Sequence, residues 1–185
     1  LCMFASLLLT RLPEFAFWWE TDNLVFGRTA NPWVLNRISG GSSGGEAAAL
    51  AAGLSSLGIG SDVGGSIRGP AHHCGVVGLK ATHGRVPLTG HWPDTRMNAM
   101  HVGPMARTVR DVALELSIIA GADGIDPYAP PVPVPGVPDL DRPPTGIWVG
   151  WNVGKSFEPM DPDVRDTIVR AATALGESGF RIEEV

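Results

Sequence analysis

Apolar residues recur with the spacing of an α-helix in the segment that follows Thr108. One face of this segment carries Val109, Val112, Ala113, Leu116, Ile119 and Ala120. That pattern is typical of an amphipathic helix. Thr108 and Asp111 have the spacing of a capping box, and an acidic residue in the first turn favours a helix start. The pattern therefore predicts a helix that begins after Thr108 and ends at Gly121.

A second helix is predicted near the end of the chain, between two apolar runs. The segment DPDVRDTIVRAATALGESG has Asp161 as a cap, Pro162 at the first helical position and Gly179 at its end, as helix start and stop signals require. The run TGIWVGW before it and the run FRIEEV after it predict strands. The order of strand, helix and strand indicates an α/β fold.

The earlier part of the chain has shorter periodic segments. EAAALAAG predicts a helix that Ser42 or Ser43 caps and Gly53 ends, because Ala and Leu are strong helix formers. LGIGSD predicts a short buried strand, and CGVVGLKAT is a further apolar run. Residues 12–33 are aromatic and irregular, which indicates a loop with short extended pieces.

Composition narrows the class of protein. Of the 185 residues, 44% are apolar and 18% are charged, as in globular proteins. The net charge is −5, so no nucleic-acid partner is expected, because no basic surplus exists to neutralise phosphates. Two cysteines, Cys2 and Cys74, form no disulfide framework and indicate a reducing, cytoplasmic compartment. The apolar residues 1–10 are too few for a membrane span and lack the features of a signal peptide.

Two glycine-rich runs carry the candidate chemistry. GGSSGG at residues 40–45 is by itself typical of a flexible linker or of a serine-capped helix start. GSDVGGSIRGP at residues 60–70 is by itself a tight turn after a strand. However, consecutive glycines beside a serine also let several backbone N–H groups converge, as an oxyanion hole requires.

Taken together, the runs GGSSGGEAAALAAG, GIGSDVGGSIRGP and CGVVGLK resemble the core motif of the amidase signature family in order and spacing. The resemblance continues through ATHGRVPLTGHWPDT and HVGPMARTVRDVALELSIIAG. It implies an α/β fold with a mixed, twisted β-sheet flanked by helices, incomplete at both ends of this chain. We expect a partial domain over residues 12–185, with the core motif at 36–90, a proline-rich connection at 127–144 and a poorly matching stretch at 1–11.

The resemblance also implies an amide hydrolase that acts on small-molecule amides through an acyl-serine and needs no cofactor. Ser66 matches the nucleophile, and Ser42 matches the bridging serine, with a cis peptide bond to its neighbour Ser43. Asp62 and Arg68 match a pair that holds the loop from behind. The oxyanion hole of the family matches the backbone N–H groups of Val63, Gly64, Gly65 and Ser66.

The chain departs from the family in its lysines. The family uses a neutral, desolvated lysine as the base, since burial lowers the pKa of a lysine readily. Only Lys80 and Lys155 are present. Lys80 matches a non-catalytic position, and the resemblance places the catalytic lysine ahead of Leu1. We therefore expect an internal fragment that is inactive alone.

Other hypotheses fit less of the sequence. Residues 40–44 satisfy the G-x-S-x-G elbow of α/β-hydrolases, but the last histidine, His101, comes too early for the order that this class needs. His72, His73 and Cys74 are adjacent and point in different directions, so no metal site is predicted. Two alternatives stay open: a non-catalytic remnant kept for binding, which the missing lysine favours, and an aminoacyl-tRNA amidotransferase subunit. The aromatic FAFWWE segment looks closer to the members that hydrolyse lipid and small amides.

Overall fold

The computed structural model describes residues 9–92, 99–134, 136–141, 145–154 and 157–185. Cys2, Lys155, most of the 1–11 stretch and part of the proline-rich connection lie outside these ranges. The chain divides into two compact units, residues 1–138 and residues 139–185. No helix among the described residues combines the length and the apolar character needed to cross a membrane.

Among its described residues, the first unit holds three α-helices and three strands. After a short 3-10 helix at Glu14–Ala16, its elements in chain order are α1 (Gly44–Ala51), β1 (Leu57–Asp62), α2 (Arg68–Cys74), β2 (Val77–Gly78), β3 (His101–Ala106) and α3 (Val109–Ile119). The sheet has the order β1-β3-β2, and both pairs are antiparallel. In register, Gly60 lies opposite Gly103.

A small apolar core holds α1 and α2 against β3. Its buried side chains are those of Ala47, Leu50, Ile67, Ala71, Cys74 and Met105. Cys74 is a free thiol at the end of α2, and its Sγ lies 3.5 Å from the carbonyl oxygen of Ser39. Because α1 and α2 share this core, the segments that precede them are brought side by side.

The second unit follows the strand–helix–strand pattern predicted for it. Its elements are β4 (Trp148–Trp151), α4 (Pro162–Glu177) and β5 (Arg181–Glu184), and β4 pairs with β5 in parallel. Asp161 caps α4 by accepting a hydrogen bond from the N–H of Asp163 at 2.8 Å. The predicted cap, first-position proline and glycine stop are confirmed.

Two local predictions need correction. β1 has the predicted extent, but it is buried on one face only: Gly58, Gly60 and Asp62 face inward, whereas Leu57 and Ile59 stay partly exposed. The second correction concerns residues 60–70, for which a tight turn after the strand was one interpretation: the turn ends at Ile67, and α2 begins at Arg68. Gly69 and Pro70 are weak helix formers, but α2 contributes Ala71 and Cys74 to the core, so packing outweighs propensity.

Candidate functional site

The turn between β1 and α2 is organised by one carboxylate. Asp62 is fully buried. Its Oδ1 accepts a hydrogen bond from the N–H of Gly65 at 2.8 Å, and its Oδ2 accepts from the N–H of Ile67 at 3.1 Å. Burial alone would raise the pKa of Asp62, but these bonds and those from Arg68 outweigh it and lower the pKa to about 2. Asp62 is therefore ionised and fixes the shape of the turn.

Arg68 closes the same turn from the solvent side. Its Nε and NH2 atoms donate to the two carboxylate oxygens of Asp62 at 3.0 and 2.9 Å, a two-pronged geometry that suits a guanidinium. The side chain of Arg68 is 54% exposed. The pair expected behind the loop is thus formed, with one buried and one solvated partner.

Ser42 and Ser43 lie at the entry to α1, and both are buried. The cis peptide bond joins Gly41 to Ser42, so its expected position between Ser42 and Ser43 was wrong. Ser43 follows and is the last residue before α1. Its N–H donates a hydrogen bond to the carbonyl oxygen of Ser66 at 3.1 Å. This hydrogen bond connects the two glycine-rich runs.

The two serine hydroxyls differ in their partners. Ser43 Oγ lies 3.5 Å from the carbonyl oxygen of Ser61 and 3.4 Å from its backbone nitrogen, so Ser43 joins α1 to β1 and does not cap the helix with its side chain. Ser42 is 1% exposed, and its Oγ has no hydrogen-bond partner among the described residues. A buried hydroxyl without a partner is unusual in folded proteins and needs an explanation.

Ser42 and Ser66 line the same cavity, whose volume is about 270 Å³. Val63 and Gly64 line it as well. Within the described part of the chain, nothing accepts a hydrogen bond from the N–H groups of Val63, Gly64 or Ser66. Gly65 differs, because its N–H is occupied by Asp62. Of the four N–H groups expected in an oxyanion hole, three therefore have no acceptor in this part of the chain, and that of Gly65 has one.

An aromatic wall, residues 15–19, forms the other side of this cavity. It contributes Phe15, Phe17, Trp18 and Trp19. Phe15 and Ala16 have φ angles of 58° and 54°, a left-handed region that residues other than glycine rarely adopt. The irregular sequence of this segment predicts a loop, and its aromatic composition is the signal that indicates a site.

No lysine or histidine is among the described residues that line the cavity. Lys80, which follows β2, is not one of them. His72 and His73 lie on α2 with their ring centroids 5.8 Å apart. Within the described ranges, no group of three acidic, histidine or cysteine side chains has the geometry of a metal site.

A second cavity, of about 570 Å³, holds two carboxylic acids that the sequence analysis missed. Glu46 comes from α1, and Glu115, which is 6% exposed, comes from α3. Burial raises the pKa of Glu115 to about 7, and the negative charge of Glu46 adds to this effect. Burial also raises the pKa of Glu46, although a hydrogen bond from Thr10 at 2.9 Å opposes the change.

Comparisons with known proteins give one consistent result. The model of the Amidase family matches residues 5–185. A glutamyl-tRNA(Gln) amidotransferase subunit from Sulfurihydrogenibium sp. (strain YO3AOP1) is 40% identical over 177 residues, which are 95% of this chain and 36% of that protein.

Solved structures agree. The corresponding glutamyl-tRNA(Gln) amidotransferase subunit from Thermotoga maritima has a TM-score of 0.82 at 34% identity, and the match covers 95% of this chain and 38% of that one. The 6-aminohexanoate cyclic dimer hydrolase has a TM-score of 0.86 at 35% identity, with coverage of 95% and 37%. This chain thus spans less than two fifths of the length of these relatives.

Proposed function

Because the chain belongs to the Amidase family, we propose that it carries the nucleophile and the oxyanion turn of an enzyme that hydrolyses carboxylic amides. One observation carries this proposal: Ser42 and Ser66, from two different glycine-rich runs, line one cavity. The hydrogen bond between the N–H of Ser43 and the carbonyl oxygen of Ser66 holds the two runs together. The whole reaction is a proposal, since the chain spans about 36% of its curated relatives.

In the proposed mechanism, Ser66 Oγ attacks the amide carbonyl carbon and gives its proton to Ser42 Oγ, which passes its own proton to the base. The N–H groups of Val63, Gly64 and Ser66 then stabilise the oxyanion, which typically lowers the barrier by several kcal/mol. The carbon–nitrogen bond breaks as Ser42 returns a proton to the leaving amine. Water hydrolyses the acyl-serine, and the products are a carboxylic acid and an amine.

The base in this scheme is a neutral lysine, which the family resemblance places ahead of Leu1. The environment of Ser42 supports the proposal, because its buried Oγ has no partner among the described residues. Leaving a buried polar group unpaired costs about 1–3 kcal/mol. A lysine Nζ at this hydroxyl would remove that cost and take the proton that Ser66 releases.

The proposal is tested by covalent labelling of the native polypeptide, whose mass is first measured by mass spectrometry. A fluorophosphonate probe should form an adduct at Ser66, and Ser66→Ala should abolish labelling. Ser56→Ala is the matched control, because Ser56 is exposed and lies outside the cavity. An adduct at Ser42 or Ser43 would overturn the assignment and favour the nucleophile-elbow hypothesis.

Residues 1–185 expressed alone should show no amide turnover, since no described lysine or histidine lines the cavity. A residual rate of roughly 10³–10⁴ over water is what serine hydrolases keep without their triad, and this is hard to detect. Turnover of an aryl amide that Ser66→Ala abolishes would refute the missing-base argument. A native polypeptide of only 185 residues without labelling would favour the non-catalytic remnant.

A second candidate function is that of an amidotransferase subunit, in which ammonia from the cleaved amide passes to an acceptor. The names of curated relatives that are 40–44% identical favour it. These names include a tRNA, whereas the net charge of −5 gives this chain no basic surplus of its own. Ammonia release from glutamine, measured beside release from other small amides, distinguishes the two functions.

A cytoplasmic location belongs to the same proposal. It is supported by the free, buried thiol of Cys74 and by the low cysteine count of two, since proteins of oxidising compartments commonly use disulfides.

A further inference from the structure

The Trp19 ring lies directly against the proposed oxyanion turn. A Cβ placed on Gly65 would lie 3.2 Å from Cζ3 of this ring, and a Cβ placed on Gly64 would lie 3.6 Å from Cη2. The edge of the indole therefore lies beside the turn that carries Ser66, with room for glycine there and little room for a larger residue. Any group bound next to Ser66 therefore meets an aromatic surface.

The backbone holds this wall in place beside Ser42. Thr21, which is fully buried, donates from Oγ1 to the carbonyl oxygen of Gly40 at 2.9 Å. The same Oγ1 lies 3.2 Å from the carbonyl oxygen of Ser42 and accepts from the N–H of Gly44 at 3.1 Å. A Cβ on Gly41 would lie 2.5 Å from the carbonyl oxygen of Trp18, so only glycine allows this approach. The wall and the serine run form one packed unit.

The described residues that line the cavity include no group that would recognise a charged substrate. None of its described lining residues carries a charge, and its polar side chains are Ser42, Ser61 and Ser66. Against these residues alone, the zwitterionic head of a free amino acid would lose its hydration without gaining a charged partner, which is costly. The volume of about 270 Å³ is below the range of roughly 300–1,000 Å³ for drug-sized ligands. The cavity therefore suits a small, uncharged group.

We propose that the amide taken by this site carries a single aromatic ring, which packs on Trp19 while the carbonyl group lies at Ser66. Aromatic pairs prefer offset-stacked or edge-to-face geometry and gain attraction beyond their buried area. The inference rests on the proposed function, because it places the substrate at the same serine. It names Trp19 as the residue that sets the preference for aryl over alkyl amides.

Binding is the test, since it does not depend on the base. Ligand-observed NMR on the native polypeptide compares benzamide, cyclohexanecarboxamide and glutamine. Benzamide should bind about fivefold more tightly than its saturated analogue, within the range that an aromatic pair contributes, and glutamine should show no saturable binding. Trp19→Ala should weaken benzamide binding about tenfold and remove the preference, whereas Trp19→Phe should retain most of it.

Trp148→Ala is the matched control. Trp148 is 61% exposed and Trp19 is 62% exposed, and Trp148 is not among the residues that line the cavity. Its loss should leave benzamide binding unchanged, and circular dichroism verifies that each variant is folded. Equal affinity for the two ring amides, tight binding of glutamine, or a Trp19→Ala variant that keeps the preference would overturn the inference.

The two proposals fail in different ways. A native polypeptide that binds benzamide through Trp19 but forms no fluorophosphonate adduct at Ser66 overturns the proposed function alone. A native polypeptide that hydrolyses alkyl amides at Ser66 without favouring aryl amides overturns only the inference about Trp19.

Discussion

The two compact units of the chain differ in how closely neighbouring segments pack inside each unit. In the first unit, a Cβ on Gly103 of β3 would collide with the carbonyl oxygen of Leu79. In the second, a Cβ on Gly150 of β4 would meet only side-chain atoms of Val185, at 3.4 Å or more. The unit that carries the proposed site thus depends on close packing between distant segments, whereas the other unit follows from local helix and strand patterns.

The largest expected effect is the difference in stability between alanine substitutions at these two glycines. Gly103→Ala should destabilise the chain by at least about 4 kcal/mol, because the new methyl group collides with backbone that cannot rotate away. Gly150→Ala should change the free energy of unfolding by less than about 1 kcal/mol. Urea unfolding of both variants measures the difference. Equal stability of the two would show that the close approach at Gly103 relaxes without cost.

The next largest effect compares one ion pair from each unit. Asp62→Asn should cost about 3 kcal/mol, because it removes a buried charge that several donors surround. Glu158→Gln breaks the pair between Glu158 and Arg165, whose side chains are 48% and 39% exposed, and should cost less than about 1 kcal/mol. Urea unfolding at neutral pH measures both, and a similar loss in the two variants would contradict the importance of burial for Asp62.

The pH dependence adds a second readout for Asp62. Its pKa is lowered to about 2 in the folded chain, so its contribution to stability is present above its ordinary pKa and is lost as the pH falls towards 2. Thermal unfolding of the wild type should therefore show a slope between about pH 4 and pH 2 that Asp62→Asn reduces. An unchanged slope would contradict the assignment.

Arg68→Ala should destabilise the chain less than the loss of a fully buried ion pair would. Asp62 keeps its backbone donors, and the Arg68 side chain is 54% exposed. We expect a loss of about 1–2 kcal/mol, which appears as a less ordered turn. Thermal unfolding identical to that of the wild type would show that Arg68 does not hold the turn.

Glu115 is expected to act in the opposite direction with pH. Burial raises its pKa from 4.5 to about 7, so the folded chain keeps a proton that the unfolded chain releases. Stability should therefore fall as the pH rises from about 4.5 to above 7. At about pH 8, Glu115→Gln should therefore be more stable than the wild type. We expect a difference of about 2 kcal/mol, which is less than the full pKa shift would give, because the cavity opens to water.

The matched control for Glu115 is Glu183→Gln, because Glu183 is an exposed residue of β5 in the second unit. Its unfolding profile between about pH 5 and pH 8 should follow that of the wild type. A flat profile for the wild type over this range would contradict the raised pKa of Glu115.

The smallest expected effects are similar in the two units. Thr108 caps α3 by accepting from the N–H of Asp111 at 3.1 Å, and Asp161 caps α4 in the same way. Replacing either cap with Ala should cost about 1 kcal/mol, measured by thermal unfolding. A large difference between the two would show that caps in the first unit depend on tertiary packing.

The elements that depend on local chemistry were predictable from the sequence. The caps, the first-position proline and the terminal glycines were sufficient for α3 and α4, and the run LGIGSD was sufficient for β1. The family resemblance and its mixed α/β fold are also confirmed. The roles of Ser66 and Ser42 rest on that resemblance and stay predictions, although the structure brings both residues to one cavity.

What the sequence did not predict depends on contacts between distant segments. The aromatic wall needs left-handed backbone at Phe15 and Ala16, which no local signal encodes. Glu46 and Glu115 meet because α1 and α3 each border one cavity, and each residue alone is typical of a solvated helix face. The family resemblance assigns the N–H of Gly65 to the oxyanion hole. Only the folded turn reveals that Asp62 already accepts a hydrogen bond from this N–H.

Cys74 offers a way to time the opening of the first unit. Burial raises the pKa of its thiol to about 11, and alkylating reagents react with the thiolate. In the closed core the sulfur is therefore both shielded and protonated, and it is modified only during excursions that expose α2 to solvent. The rate at which iodoacetamide modifies the peptide containing Cys74 therefore reports how often those excursions occur. A ligand that binds the closed core should slow this modification.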